Sequence, residues 1–257
     1  MIPLLTLSDV CYSYHELSGE TKALENLSFT VNPGEFIAIV GPSGCGKSTL
    51  LSMIAGLIHP ASGKILLNGS SVTNSSSRIG YMLQKDHLFE WRSVLSNILL
   101  GLEILKRVDD TSRAKAMEML KTYGLDAFAD AKPSQLSGGM RQRAALIRTL
   151  VLEPDLLLLD EPFSALDYQT RLTVADDIWS ILKKEQKTAI LVTHDLAEAI
   201  SMADRVLVLS SRPGRLVKDL PLHFEDLETD SPVNRRNAKE FKSYFNLLWK
   251  ELNDHAS

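Results

Sequence analysis

Only two cysteines, Cys11 and Cys45, stand in a chain of 257 residues. That is too few for a disulfide framework, and a reducing compartment is the expectation. Long apolar runs are missing as well. The longest, "DLLLLDEP", has the length of one buried strand, short of the roughly 18 residues that span a bilayer. The opening "MIPLLTLSDV" lacks the basic start of a signal peptide. Basic charge is not in excess either. Net charge is −4 and pI about 5.9, whereas a dedicated duplex-DNA binder shows a basic face, so no nucleic acid is expected as ligand. There is no internal repeat. If the chain serves a membrane, it does so through a partner. The 44% hydrophobic and 23% charged residues that remain suit one large domain, or a core with a smaller subdomain.

Short apolar runs ended by polar residues read as buried strands of a parallel sheet: "FIAIV" (36–40), "LLLLD" (156–160) and "AILVTHD" (189–195). "ILLNG" (65–69), "IGYMLQ" (79–84) and "RVLVLS" (205–210) are further strand candidates, and "SSVTNSSSR" (70–78) reads as a polar linker. Helical patterns lie between them. "TLLSMIAGL" follows the first buried strand. "TSRAKAMEMLKTYGL" is expected to start at Thr111 or Ser112 as N-cap and to close at Gly124. "RLTVADDIWSILKKE" puts Leu172, Ile178, Trp179 and Leu182 on one side. The alternation argues for an α/β fold. Residues 85–155 are richer in helix and read as a helical insertion. Phe241, Phe245, Leu248 and Leu252 form one stripe of an amphipathic helix at 237–254. Its polar face mixes Lys and Glu, so packing on its own body is expected over membrane binding.

"GPSGCGKST" (41–49) sits between a buried strand and a helix and matches the phosphate-loop pattern in its required context. Gly41, Gly44 and Gly46 permit the backbone to fold around an anion, with Pro42, Ser43 and Cys45 between them. The loop's N–H groups and the helix start then face phosphate oxygens. Lys47 would neutralise the β- and γ-phosphates of ATP, Ser48 would ligate Mg2+, and Thr49 would touch the α-phosphate. Asp160 and Glu161 emerge at the C-terminal end of their strand, the edge where open α/β sheets bind ligands. Asp160 suits Mg2+, and Glu161 suits a general base for the attacking water. Gln84 could orient that water or contact Mg2+, and His194 could sense the γ-phosphate. "LSGGMRQR" (136–143) is a second helix start suited to an anion, although it has no lysine.

In this order the motifs "GPSGCGKST", the loop at Gln84, "LSGGMRQR", "LLLLDEP", "SALD" (164–167) and "THD" around His194 resemble the ATP-binding subunit of an ABC transporter, over about residues 4–215. The resemblance implies an α/β P-loop NTPase core with an antiparallel β-subdomain and a helical subdomain (about 85–155), within a domain at 4–235 and followed by a C-terminal helix and tail at 236–257. It implies an ATPase with Glu161 as catalytic carboxylate, His194 as switch histidine and Asp167 as a residue communicating across a dimer. Tyr14 matches the position that stacks on adenine, with Tyr12 as rival, and "HELSGETKA" is expected to lengthen the loop after Tyr14.

The resemblance also gives a reason for two anion-binding helix starts. Two chains would pair head to tail, and Ser137, Gly138 and Gly139 of one would close over the γ-phosphate held by the Lys47 loop of the other. Within the family, the sequence is most similar to importers of nitrate, sulfonate and taurine. It departs at "EW" (90–91), where that branch has Pro before Trp, and at Thr149, where the family has Ala. Membrane permease subunits would meet residues 86–95 through Leu88, Phe89 and Trp91, unless these belong to the core. A solute-binding protein would complete the transporter, and the chain would lie peripherally on the cytoplasmic face of the cell membrane. The rival readings are a soluble ABC ATPase acting on ribosomes or DNA, and a regulatory module with a dead site. The single cassette, the acidic charge and the intact Lys47, Asp160, Glu161 and His194 count against both. Cys45, beside Lys47 at a helix start, is expected to be a reactive thiol whose alkylation inactivates the enzyme and which ATP protects.

Overall fold

A computed structural model describes residues 2–16, 19–72, 78–225 and 227–255. The chain divides into two compact units, Met1–Ser76 with Trp179–Ser257, and Ser77–Ile178.

The first unit contains an antiparallel sheet in the order β2-β1-β4-β5, from β1 (Leu5–Glu16), β2 (Gly19–Val31), β4 (Ser62–Leu67) and β5 (Ser70–Ser71). β1 and β2 form a long hairpin, so most of "HELSGETKA" continues the strands rather than lengthening a loop. Residues 17–18, and 73–77 of the expected linker, lie outside the described residues. A second group of strands has the order β10-β9-β3-β8: β3 (Phe36–Val40), β8 (Thr188–Val192), β9 (Arg205–Leu209) and β10 (Leu216–Pro221). β3 runs parallel to both β8 and β9. All five residues of β3 and of β8 are buried, which is why each reads as an unbroken apolar run. Behind β3 the chain enters α1 (Lys47–Ile54), and behind β8 it enters α6 (Leu196–Met202).

The unit closes with α7 (Pro232–Asn237) and α8 (Lys239–Asp254). α8 packs on α6 and β9 and buries Leu248 completely, as the apolar stripe predicts. Arg235 fastens α7. It is 6% exposed, donates to the Ala203 carbonyl and to both carboxylate oxygens of Asp230, and lies over the rings of Trp179 and Phe224.

The second unit is built on two parallel strands, β6 (Ile79–Met82) and β7 (Leu156–Asp160), with β7 wholly buried. α2 (Val94–Ile104), α3 (Asp110–Thr122) and α4 (Gly138–Leu150) lie between them in sequence. α5 (Tyr168–Lys184) begins in this unit and carries Ile178, Trp179 and Leu182 into buried positions. The N-cap of α3 is Asp109, not Thr111 or Ser112. Asp109 and Ser112 form a reciprocal capping box, and Ser112 is its third helical residue rather than its cap. Gly124 does follow the helix end in the left-handed conformation, at φ +67°.

Candidate nucleotide site

The predicted site residues fall into two groups, one in each unit. In the first unit, β3 delivers the chain at Val40 into the loop 41–49. Close approach explains Gly41: a Cβ there would stand 2.8 Å from the Cys45 sulfur and 3.0 Å from the Leu209 carbonyl. Gly44 and Gly46 hold φ +76° and +105°, which L side chains rarely adopt. Gly46 is also the N-cap of α1 and has no side chain to satisfy the first-turn N–H groups, which face outward from the helix start.

Lys47, the first residue of α1, is 8% exposed. Its ammonium donates to the carbonyls of Gly41 (2.7 Å) and Pro42 (3.0 Å) and lies 3.8 Å from the Cys45 sulfur. Among the described residues no carboxylate pairs with it. Neutral acceptors around an ammonium at a helix start leave room for an anion as its partner, and this fits a polyphosphate. Ser43 and Ser48 are exposed on the loop. The Thr49 hydroxyl bonds the Tyr14 phenol at 2.8 Å, so the tyrosine is tied to α1. Tyr14 is 40% exposed, and Tyr12 meets it edge-on at 5.0 Å between centroids. His194 follows β8, the strand beside β3, and is exposed. The next residue, Asp195, caps α6.

Cys45 departs from expectation. Its side chain is buried, at 1% exposed, and burial pushes its thiol up, against the pull of Lys47. The desolvation cost of a thiolate outweighs the neighbouring cation, so Cys45 is not an activated nucleophile.

In the second unit, Asp160 ends β7 at 8% exposure and accepts a hydrogen bond from the Tyr81 hydroxyl at 3.2 Å. Glu161 follows at φ +46°, a strained position for a residue with a side chain. The Gln84 amide donates to Glu161 (3.4 Å) and to the Ser164 hydroxyl (3.3 Å), while Ser164 donates to the Glu161 carbonyl (2.9 Å). Gln84 and Glu161 are therefore brought together. Tyr81 and Ser164 were missed as partners. A tyrosine inside an otherwise apolar strand, needing a mate for its hydroxyl, was the signal.

Ser137 is the N-cap of α4, its hydroxyl accepting from Met140 N at 3.3 Å, which leaves its own proton free to donate elsewhere. Gly139 is buried against α5, where a Cβ would stand 2.9 Å from Val174. Gly138 is half-buried, and a Cβ there would stand 3.0 Å from Leu166. Asp167 accepts from Thr170 N (3.1 Å), and hydrogen bonding from the Thr170 side chain first and its backbone second holds the Asp167 carboxyl below the usual carboxylate range.

Residues 86–93 are bolted down. Arg148 donates to the carbonyls of Asp86 (2.6 Å) and His87 (2.7 Å), Arg141 donates to the Asp86 carboxylate (3.2 Å), and buried Asn97 bonds both backbone groups of Phe89. Of the three apolar contacts expected here, Leu88 is core, at 7% exposed. Phe89 and Trp91 are exposed (37% and 72%), with rings 4.7 Å apart.

A buried strand, a glycine loop with a lysine at the next helix start, and an acidic pair closing a second buried strand define a P-loop nucleotide-hydrolysing protein. The sequence model of the ABC transporter family matches residues 24–164. An uncharacterized ABC transporter ATP-binding protein of Bacillus subtilis, YtlC, is 45% identical over 249 residues, 97% of this chain and 95% of that protein. The taurine import ATP-binding protein TauB of Pelagibacter ubique is 42% identical, covering 84% of this chain and 82% of its own. The aliphatic sulfonates import ATP-binding protein SsuB of Bacillus cereus is 38% identical, covering 83% and 84%. Among solved structures, the dimeric post-hydrolysis state of the ATP-binding cassette MJ0796, bound to ADP and Pi, superposes with a TM-score of 0.73 at 29% identity, over 85% of this chain and 99% of that one. This chain belongs to the ABC transporter family, as an ATP-binding subunit and ATPase. Among the described residues no helix is long and apolar enough to cross a membrane.

Proposed function

We propose that this chain energises import of a small solute through a separate membrane permease, working as a head-to-tail dimer. The seating of Lys47 carries the reading: a buried ammonium held by the loop's Gly41 and Pro42 carbonyls and the Cys45 sulfur, with no carboxylate partner among the described residues, at the start of α1. In this reading loop 41–49 wraps the phosphates of ATP and Lys47 trades its carbonyls for their oxygens. Tyr14, fixed through Thr49, stacks on the base. Ser48, Gln84 and Asp160 would hold Mg2+, which supplies charge neutralisation at the phosphates. Glu161 takes the proton of the attacking water, with Gln84 setting its orientation. His194 senses the γ-phosphate. Ser137, Gly138 and Gly139 close over the ATP of a second copy, supported by the dimer seen in the MJ0796 cassette. ATP favours the closed pair and hydrolysis releases it.

The names of the taurine and sulfonate relatives support an importer. The exposed Phe89–Trp91 pair on a bolted loop suits the permease contact, and with such a partner the chain sits on the cytoplasmic face of the membrane. A solute-binding protein and the permease, not this chain, then select the solute. The test is Glu161→Gln. It should bind ATP and accumulate as a dimer while hydrolysis falls about 10²- to 10⁴-fold. A variant that turns over at the wild-type rate sinks the assignment.

A further inference from the structure

Residues 210–215, the turn between β9 and β10, lie directly on the phosphate loop. Gly214 fits because it has no side chain: a Cβ would stand 2.2 Å from the Cys45 carbonyl. Its N–H donates to Ala23 O (2.9 Å) and its carbonyl accepts from Glu25 N (3.1 Å), so the turn is stitched to β2. The Ser210 hydroxyl donates to Pro213 O (3.0 Å), and Ser211 N donates to the carbonyl of His255, beyond the end of α8 (3.0 Å). From this fixed turn Arg212 reaches the loop, its Nε donating to the carbonyl of Gly44 at 3.1 Å.

That bond fixes more than one oxygen. In a trans peptide the C=O and the following N–H point in opposite directions. Holding the Gly44 carbonyl toward Arg212 therefore turns the Cys45 N–H the other way, into the loop. There it donates to Pro42 O at 3.3 Å, just beyond the normal range. A phosphate oxygen can readily displace so long a bond. Gly44 is also a glycine at φ +76°, a residue type with a wide choice of alternative conformations. Lys47 holds the carbonyls of Gly41 and Pro42, and Arg212 holds that of Gly44, so two cations orient three peptides of one loop. Arg212 is otherwise exposed, so its side chain is not needed to fill the core.

We propose that Arg212 is a positioning residue for nucleotide binding, presetting the 44–45 peptide for phosphate. The proposal rests on the reading that loop 41–49 holds the phosphates of ATP. The test is equilibrium binding of ATP and ADP to the full chain as wild type, Arg212→Ala, Arg212→Lys and Lys47→Ala, with steady-state ATPase and nucleotide-free melting alongside. Arg212→Ala should weaken both nucleotides and raise KM about 3- to 10-fold, the loss of one partly exposed charged hydrogen bond. Its kcat at saturating ATP should stay within about twofold, and its melting temperature within about 2 °C, as for a surface substitution. Arg212→Lys, able to offer one donor from a compact charge, should recover part of the loss. Unchanged affinity in Arg212→Ala overturns the proposal. So does an affinity loss matched by a fall in melting temperature, which would make Arg212 a fastener of the turn and nothing more. If Lys47→Ala still binds ATP, the reading of the loop itself fails. If Lys47→Ala loses ATP while Arg212→Ala does not, only the role of Arg212 fails.

Discussion

Cys45 sits in the middle of loop 41–49 and should resist alkylation. Two factors set its rate. The first is the thiolate fraction: an ordinary thiol is about 3% thiolate at pH 7, and Cys45 holds less, because burial favours the neutral form more than Lys47 favours the charged one. The second is access, which at 1% exposure requires the loop to open. Cys11 is half-exposed on β1 and serves as an internal reference. Together the two factors should slow Cys45 at least about tenfold relative to Cys11. The assay is timed alkylation at pH 7, peptide mass mapping of both sites, and ATPase activity on the same samples. Cys11 should be modified first, and a Cys11→Ser variant should keep its ATPase through the same exposure. Modification of Cys45 in step with Cys11, with ATPase lost and ATP protecting, would refute the reasoning and restore the sequence expectation. The sign for stability follows from the same shift. A raised thiol value stabilises the fold at neutral pH, and that contribution is lost as pH rises past the ordinary thiol value, where the unfolded chain gives up its proton first.

Two further outcomes are expected. A Cβ on Gly80 would stand 2.5 Å from the Thr149 methyl, so Gly80→Ala should cost about 1–3 kcal/mol in denaturant unfolding, and Thr149→Ala should relieve part of that cost in the double variant; strictly additive costs would exclude the contact. Replacing both Phe89 and Trp91 by Ala should leave ATP affinity of the isolated chain within about twofold and should abolish co-purification with a permease from membranes; undiminished co-purification would place the contact elsewhere.

The strands were legible where burial is two-sided. "FIAIV" and "LLLLD" give the bounds of β3 and β7, because a strand covered on both faces must be apolar at every position. Helix starts were less so. The capping box at Asp109 depends on a side chain reaching three residues forward, and several nearby residues could equally have capped. The long hairpin after Tyr14 was missed because "HELSGETKA" is polar on both faces, as an exposed ribbon can be. At the proposed site, the pattern picks out loop 41–49 and the acidic pair Asp160–Glu161, since phosphate chemistry demands fixed residue types at fixed spacing. It could not supply partners from distant segments. Tyr81 on Asp160, Ser164 on Gln84 and Arg212 on Gly44 are products of folding. Cys45 shows the same limit in electrostatics: the sequence displays the neighbouring lysine but not the burial that outweighs it. The Thr149 methyl likewise stands where a Cβ on residue 80 would fall, a fit that only the folded chain displays.

In the proposed dimer, Lys47 and Ser137 serve one ATP from two different chains. Lys47→Ala and Ser137→Arg should each lack ATPase activity as purified proteins. In a mixed pair one composite site carries both lesions and the other carries neither. Random mixing at equal concentration should therefore restore about a quarter of the wild-type rate, half the dimers being mixed and half their sites intact. A mixture as inactive as its components would contradict the account.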